Sequence, residues 1–342
     1  MRLPAKPWPT GEWRRLLAEA VDDPDELLRL LGLDGRAPSA TPDAARRFPV
    51  RVPRGFVARM RRGDPDDPLL RQVLPDRAED VPAPGFTADP VGELAAPRTG
   101  AVLHKYHGRV LIVATGACAV HCRYCFRRHF PYAEHHAPSE GWQAALDRIA
   151  ADPGITELIL SGGDPLTMAD ARLAELARSA AGLPQLRRLR LHTRLPIVLP
   201  QRVDEALVGW LRAIPLPTVV VVHANHANEI DDDVRRALAA LRAAGTSLLN
   251  QSVLLAGVND SADALAELSE ALFDAGVLPY YLHMLDPVGG AAHFEVAEDA
   301  ARGLLAEVTS RLPGYLVPKL VREVPGAPAK VGIDQTDPGP AP

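Results

Sequence analysis

Apolar residues follow two different rhythms along this chain, and the rhythm changes near residue 100. Beyond that point, short apolar runs rich in β-branched residues stand at 109–115, 156–160, 186–192, 218–223, 247–254 and 278–284. Each has the length and the unbroken apolar character of a strand buried on both faces. The stretches between them have helical spacing. Trp142, Leu146 and Ile149 share one face of a helix that Ser139 can cap. Leu173, Leu176 and Ala177 mark the next helix, and Leu207, Trp210 and Leu211 the one after it. Val234, Leu238 and Leu241 place a helix over 231–244, which Gly245 is positioned to end. Leu265, Leu268, Leu272 and Phe273 place another over 262–275, followed by Gly276. A last helix covers 297–311, and 315–321 reads as one further strand.

Strand–helix alternation repeated about six times predicts an α/β protein, with a parallel sheet covered by helices. An open doubly wound sheet and a full or partial barrel both satisfy this pattern. The polar residues at the strand ends favour the barrel. A cysteine-bearing loop follows the first strand, Ser161-Gly162-Gly163-Asp164 the second, and His192-Thr193-Arg194 the third. His223 ends the fourth, Asn250 and Gln251 lie within the fifth, and Asp286 follows the sixth. Polar side chains at the C-terminal ends of successive strands are what a barrel enzyme needs to build a site.

Residues before 100 read differently. The segment 12–31 is helical, with Leu16, Leu17, Val21, Leu27, Leu28, Leu30 and Leu31 as apolar positions and a break near Pro24. From 36 to 98 the chain is rich in Pro, Asp and Arg and has little periodicity outside 56–61. Phe56, Met60, Leu69, Leu70, Val73 and Leu74 still give this region something to bury. It is expected to be a mostly helical extension wrapped on the main domain.

Hydrophobic residues fill 47% of the 342 positions, enough for a sizeable core in one large domain or a barrel with an extension. A net charge of -5 without a broad basic excess argues against nucleic-acid binding. No apolar run reaches the roughly 18 residues of a membrane span. The opening stretch MRLPAKPWPTGEW has no apolar run of the kind a signal peptide needs. The 33 prolines are scattered and punctuate loops.

All three cysteines, Cys118, Cys122 and Cys125, fall within one short stretch in the pattern C-x3-C-x2-C. An odd number of clustered cysteines does not make a secreted disulfide framework, so a cytoplasmic protein is expected. Thiolates are soft ligands suited to iron–sulfur clusters or to zinc. On a four-iron cubane, three cysteines leave one iron open to a small molecule that can accept an electron. Zinc would need a fourth ligand, for which His121 or His129 are near in sequence. Three buried structural thiols are the plainest alternative. The spacing favours the cluster.

Other constellations carry weaker signals. The glycines of 161–164 allow a close backbone approach to a ligand, with Asp164 or neighbouring carbonyls able to take an ammonium, but a tight turn capped by Asp164 explains the same residues. His223 and His226 are half of a metal site or polar lining of a cofactor cavity, and beside the cysteines the lining is favoured. Arg127 and Arg128 suit a ligand carboxylate or phosphate, or form a solvated basic turn. Lys330 ends a Pro/Gly-rich turn after the last strand. A desolvated amine there forms Schiff bases with aldehydes such as pyridoxal phosphate, although most lysines are solvated.

Together these residues resemble the radical S-adenosylmethionine superfamily, and within it the lysine 2,3-aminomutase family. The matching pieces are Lys105-Tyr106 to Arg109, the cysteine loop with Phe126 and Arg127, LSGGDPL at 160–166 and LPIVLPQR at 195–202. HANHANEI at 223–230, NQSVLLAGVND at 250–260, PYYLHMLDPVGGAAHF at 279–294 and the turn ending in Lys330 complete the set. They span roughly residues 55–332. The compact length and LHMLDPVGGAAHF look most like the branch that makes β-lysine for modifying elongation factor P.

The resemblance implies a partial (β/α)6 TIM-like barrel over 101–325, a helical extension over 1–100 and a C-terminal segment over 326–342 that carries the cofactor lysine. It implies an isomerase that converts L-lysine to β-lysine by a radical mechanism. Cys118, Cys122 and Cys125 would hold a [4Fe–4S] cluster. S-adenosylmethionine would sit on the open iron, lined by Ser161, Gly162, Gly163, Asp164, His223 and Gln251. Lys330 would carry pyridoxal 5′-phosphate, with Lys105, Tyr106 and Arg109 nearby. Arg127 would pair with the substrate carboxylate, and Asp286 and Glu323 would take its ε-ammonium. The implied partners are L-lysine, a reducing electron donor of flavodoxin or ferredoxin type, elongation factor P with its lysyl-transferring enzyme, and a second copy in a homodimer. Neither nucleic acid nor membrane is implied.

Two positions depart from the family's free-lysine members. Glu323 stands where they carry Asp, and Lys105 where they carry Arg, which weakens a bidentate phosphate contact. The pair of acids still argues against a substrate with a side-chain carboxylate. The alternatives are a free-lysine aminomutase of catabolism or osmolyte synthesis, a radical SAM enzyme modifying RNA, which would not need Lys330, and a zinc-stabilised binding module.

Overall fold

Seven parallel strands frame the protein in a computed structural model that describes residues 6–34, 42–94, 98–99, 102–132 and 141–333. They are β3 (Arg109–Thr115), β4 (Glu157–Gly162), β5 (Arg188–Thr193), β6 (Thr218–Val222), β7 (Ser247–Val253), β8 (Leu278–His283) and β9 (Lys319–Arg322). Antiparallel strands β1 (Arg98–Thr99) and β2 (Val102–Tyr106) precede them, and β10 (Val331–Gly332) follows. Hydrogen bonding follows sequence order from β1 to β10, the topology of a partial barrel with six helical crossovers. No pairing closes β10 onto β1 among the described residues.

The expected strands hold their positions to within two residues because their apolar positions pack into the core, on both faces in β4 and on alternate residues in β5 and β7. All six residues of β4 are buried. Two differences have local causes. Pro318 has no N–H to give a ladder, so the strand expected at 315–321 begins only at Lys319, after a 3₁₀ turn over Gly314–Leu316. The hairpin of β2 and β3 was not expected as such. It turns at Gly108, whose φ of 73° suits glycine, and it sets Tyr106 opposite Arg109.

Helices Gly141–Ala150, Asp170–Ala181, Glu205–Ala213, Asp232–Ala243, Ala262–Asp274 and Glu298–Arg311 connect the strands. Asp204, Asp231 and Ser261 cap three of them with side-chain oxygens, and Gly245 and Gly276 follow two of them at positive φ. The expected cap Ser139 lies outside the described residues.

The N-terminal part forms short helices at Glu12–Ala18, Pro24–Leu31, Pro42–Arg47, Arg54–Val57 and Pro68–Arg71. Asp23 caps the helix that starts at Pro24, at the expected break. Trp13, Leu27, Phe56, Leu69 and Leu70 join Leu160, Leu191 and Val220 of the strands in one continuous core. At about 1.5–3 kcal/mol for each large apolar side chain, this contact holds the segment onto the barrel. Among the described residues no helix is long and apolar enough to cross a membrane.

Candidate active site

The C-terminal ends of the parallel strands surround a cavity of about 340 Å³. The site residues that the resemblance implies line it: Cys118, Cys122, Cys125, Arg127, Ser161 to Asp164, His223, Gln251, Asp286, Glu323, Lys330, Lys105, Tyr106 and Arg109, whereas Arg128 and His226 do not. They come from the loop after β3, the ends of β4 to β9, the hairpin and the turn before β10.

The cysteine loop is held by the N-terminal segment. The His121 and Arg123 N–H groups donate to the carbonyls of Arg51 and Gln72, at 3.0 and 2.9 Å. The fully buried Arg123 guanidinium pairs with Glu79, and Arg128 reaches the same carboxylate at 2.6 Å. Arg194 donates to Cys122 Sγ at 2.7 Å, to Tyr124 Oη and to Gln72, and pairs with Glu229 at 3.0 Å. Burial raises the Cys118 and Cys125 thiols, Cys125 to about 11, and neighbouring sulfurs add to the effect. The raised Cys118 and Cys125 thiols fit a cationic iron–sulfur group that would stabilise their thiolates. No three His, Cys, Asp or Glu side chains converge on one ion position among the described residues, so the fit rests on this donor set.

Beside the thiols, a Cβ on Gly163 would lie 2.4 Å from the Ala117 carbonyl oxygen, and Gly162 sits at φ 119°. Only glycines permit this packing of 161–164 against the start of the cysteine loop. The Asp164 carboxylate is saturated: it accepts from Thr193 Oγ1 and from the N–H groups of Leu166, Arg194 and Leu195. It therefore ties two strand-end loops together and is not free to take an ammonium. The imidazoles of His192, His223 and His283 reach the cavity with buried Nε2 atoms that have no partner among the described residues. Burial holds all three neutral, His223 down at about 3 with help from Arg194 and Arg127. Orphaned nitrogens and close glycine backbone fit a polar nucleoside ligand.

The other wall carries the charges. Lys330 Nζ lies 2.6 Å from Glu323 Oε2, and Lys105 Nζ 2.8 Å from Glu323 Oε1, which Tyr106 Oη also contacts. Burial pushes the Glu323 carboxyl up, but Lys330, Lys105 and Tyr106 outweigh it and hold it at about 2. Arg109 stacks over Tyr106 at 4.7 Å and has no carboxylate partner among the described residues. A reachable amine beside an unpaired guanidinium fits an aldehyde cofactor with a phosphate tail. The Asp286 carboxyl group makes no hydrogen bond or ion pair among the described residues, while its main-chain carbonyl accepts from the Val288 N–H at 2.7 Å. Burial pushes its carboxyl up to about 7, partly offset by Lys330 and Lys105.

Three placements differ from expectation. Arg127 is already engaged by Glu93, with contacts of 2.6 and 2.7 Å, and also donates to the Gly162 carbonyl. Arg128 is a buried brace on Glu79 and on the Arg123 and Gly290 carbonyls. His226 lies outside the cavity and caps a turn by accepting from the Asn228 N–H. Sequence reasoning missed Glu93, Glu79, Gln72, Asn225 and Glu229. Of these, Glu79 and Glu229 left a local signal, as the last residues of capping boxes that start at Asp76 and His226, and Asn225 lies with Glu229 in the HANHANEI motif.

Comparison with known proteins places the chain in a family. Residues 112–269 match the radical SAM superfamily. The chain is 53% identical to L-lysine 2,3-aminomutase of Escherichia coli K12 over 94% of both chains. It is 47% identical to the Haemophilus influenzae enzyme of the same name, over 93% of this chain and 94% of that one. The identity to L-lysine 2,3-aminomutase of Clostridium subterminale is 30%, over 94% of this chain and 78% of that one. At such identity over nearly the whole length, the chain belongs to the lysine 2,3-aminomutase family of the radical SAM superfamily.

Proposed function

We propose that this protein isomerises L-lysine to β-lysine and that the product serves the modification of elongation factor P. The observation that carries the substrate is Asp286: a carboxyl group without a side-chain partner among the described residues, raised to about 7, in the same cavity as Lys330 and the three thiols. Such a group is stabilised by a cationic ligand, and the ε-ammonium of lysine is one.

Cys118, Cys122 and Cys125 hold the [4Fe–4S] cluster in this reading. Ser161 to Gly163, His223 and Gln251 line the S-adenosylmethionine site, with Asp164 fixing the turn. Lys330 binds pyridoxal 5′-phosphate, with Lys105, Tyr106 and Arg109 near it. When bound, these groups supply a radical able to take hydrogen from an unactivated carbon and a π-system that stabilises the migrating amino group. The chain supplies placement. Asp286 and Glu323 hold the far ammonium, Arg127 the carboxylate, and both anchors fix which carbon faces the radical source. The N-terminal segment and the neutral imidazoles keep water and stray protons from the cavity. A reducing carrier of flavodoxin or ferredoxin type provides the electron.

The test is anaerobic turnover of reconstituted protein with dithionite, S-adenosylmethionine and L-lysine, followed by chiral chromatography. β-Lysine is expected, with none from Lys330→Ala. S-adenosylmethionine cleavage without β-lysine would refute the substrate. Elongation factor P that keeps its β-lysyl group after deletion of this gene would refute the physiological role.

A further inference from the structure

The guanidinium assigned to the substrate carboxylate is occupied by a carboxylate of the chain itself. Glu93 and Arg127 are both buried, and their two-pronged contact uses Arg127 Nε at 2.7 Å and Nη2 at 2.6 Å. Arg127 Nη1 donates to Ser161 Oγ at 3.3 Å and to the Gly162 carbonyl at 3.0 Å. Four of the five N–H groups of the fork are therefore engaged. A second carboxylate added to this site would share one cation with Glu93, and burying the excess negative charge is strongly unfavourable. Exchange of one carboxylate for another is charge-neutral.

Glu93 sits on a strap, residues 86–94, from which Val91 and Glu93 line the cavity. Asp89 accepts from the Glu93 and Leu94 N–H groups, both at 2.9 Å, and so shapes the turn. Thr87 bridges the Pro287 carbonyl and the Gly289 N–H, next to Asp286. Lys105 Nζ donates to the Val91 carbonyl at 2.9 Å while also holding Glu323. A Cβ on Gly92 would lie 3.2 Å from the Pro325 side chain, in the turn that leads to Lys330. Each attachment of the strap is beside a group assigned to ligand binding.

We propose that Glu93 is an exchangeable internal carboxylate, a specificity-determining latch that the α-carboxylate of the incoming amino acid must replace on Arg127. The inference rests on the reading of Arg127 as the carboxylate site. Displacement of Glu93 releases the strap only for a ligand that brings its own anion. Lysine with a free carboxylate passes, whereas lysinamide or 1,5-diaminopentane would leave Arg127 without a partner. The preferred ligand is thus a free amino acid and not a lysyl residue within a protein.

The test is equilibrium dialysis of labelled L-lysine and lysinamide against reconstituted anaerobic holoenzyme, wild type and Glu93→Gln. A latch closed nine-tenths of the time weakens apparent affinity about ten-fold. Glu93→Gln is therefore expected to bind lysine about ten-fold more tightly and to leave lysinamide unchanged. Weaker lysine binding would make Glu93 a fixed support of Arg127, and unchanged binding would remove Arg127 from the carboxylate site. Either result overturns the latch. If wild type binds no lysine, the substrate reading fails instead, and the two failures are separable. Glu93→Asp, which keeps the charge but shortens the reach, covers the case in which the glutamine variant does not fold. It should tighten lysine binding by a smaller factor, and looser binding would again overturn the proposal.

Discussion

Asp286→Asn should make the cofactor-free protein more stable while it abolishes lysine binding. The carboxyl is displaced from its ordinary 3.8 to about 7 because burial disfavours its charged form. Such a group costs nothing below its unfolded pKa, where both states carry the proton. Between 3.8 and about 7 the unfolded chain ionises and the native protein does not, so stability falls by about 1.4 kcal/mol per pH unit. Above 7 the loss is complete, at about 4 kcal/mol. Asparagine removes the charge but leaves an amide without a partner, so the net gain at pH 8 is roughly 2 kcal/mol. Urea denaturation of both proteins from pH 5 to 9 reads this directly. The difference in stability should grow with pH up to 7 and then level off. A difference independent of pH, or a variant less stable at pH 8, would refute the assignment of Asp286 as an uncompensated acid. Saturating lysine should raise the wild-type stability at pH 8 and leave the variant unchanged.

Glu79→Gln strands two guanidiniums, Arg123 and Arg128, and should cost about 3–5 kcal/mol. Iron bound per chain after reconstitution should fall, because both arginines flank the cysteines; full iron loading would show that the brace is dispensable. Gly163→Ala pushes a methyl against the Ala117 and Gly116 backbone, and about 3 kcal/mol of stability should be lost, as read by denaturant midpoint. Glu323 is held at about 2 against an ordinary 4.5, so its contribution to stability is present above pH 4.5 and lost as pH falls towards 2. Glu323→Gln should flatten that acid limb and expose the 323–331 turn to proteolysis.

The barrel was legible in the sequence because its strands carry short apolar runs that pack into the core and its helices bury one face. Val219 to Val222 and Leu158 to Leu160 cannot be anything but interior, whereas Leu173, Leu176 and Ala177 can only be one face of a helix. The hairpin over 102–106 was hidden because His104, Lys105 and Tyr106 are only partly buried, at the cavity and at the sheet's edge. Pro318 shortened the last strand by a rule visible in the sequence but outweighed there by the apolar run around it.

The site divides along a different line. Cys118, Cys122 and Cys125 lie within one short loop, so they mark the chain locally. The groups that hold this loop are not gathered in this way. Gln72, Glu79 and Glu93 lie between 34 and 122 residues from the arginines they engage, in a stretch without periodicity. Any carboxylate or amide within reach of Arg123, Arg127 and Arg194 would satisfy the same charges, and reach is a property of the folded core. That core is shared: Phe56, Leu69 and Leu70 anchor the segment to the barrel and so deliver Gln72, Glu79 and Glu93 to the cysteine loop. The N-terminal segment thereby braces the cysteine loop and lends Val91 and Glu93 to the lining of the cavity.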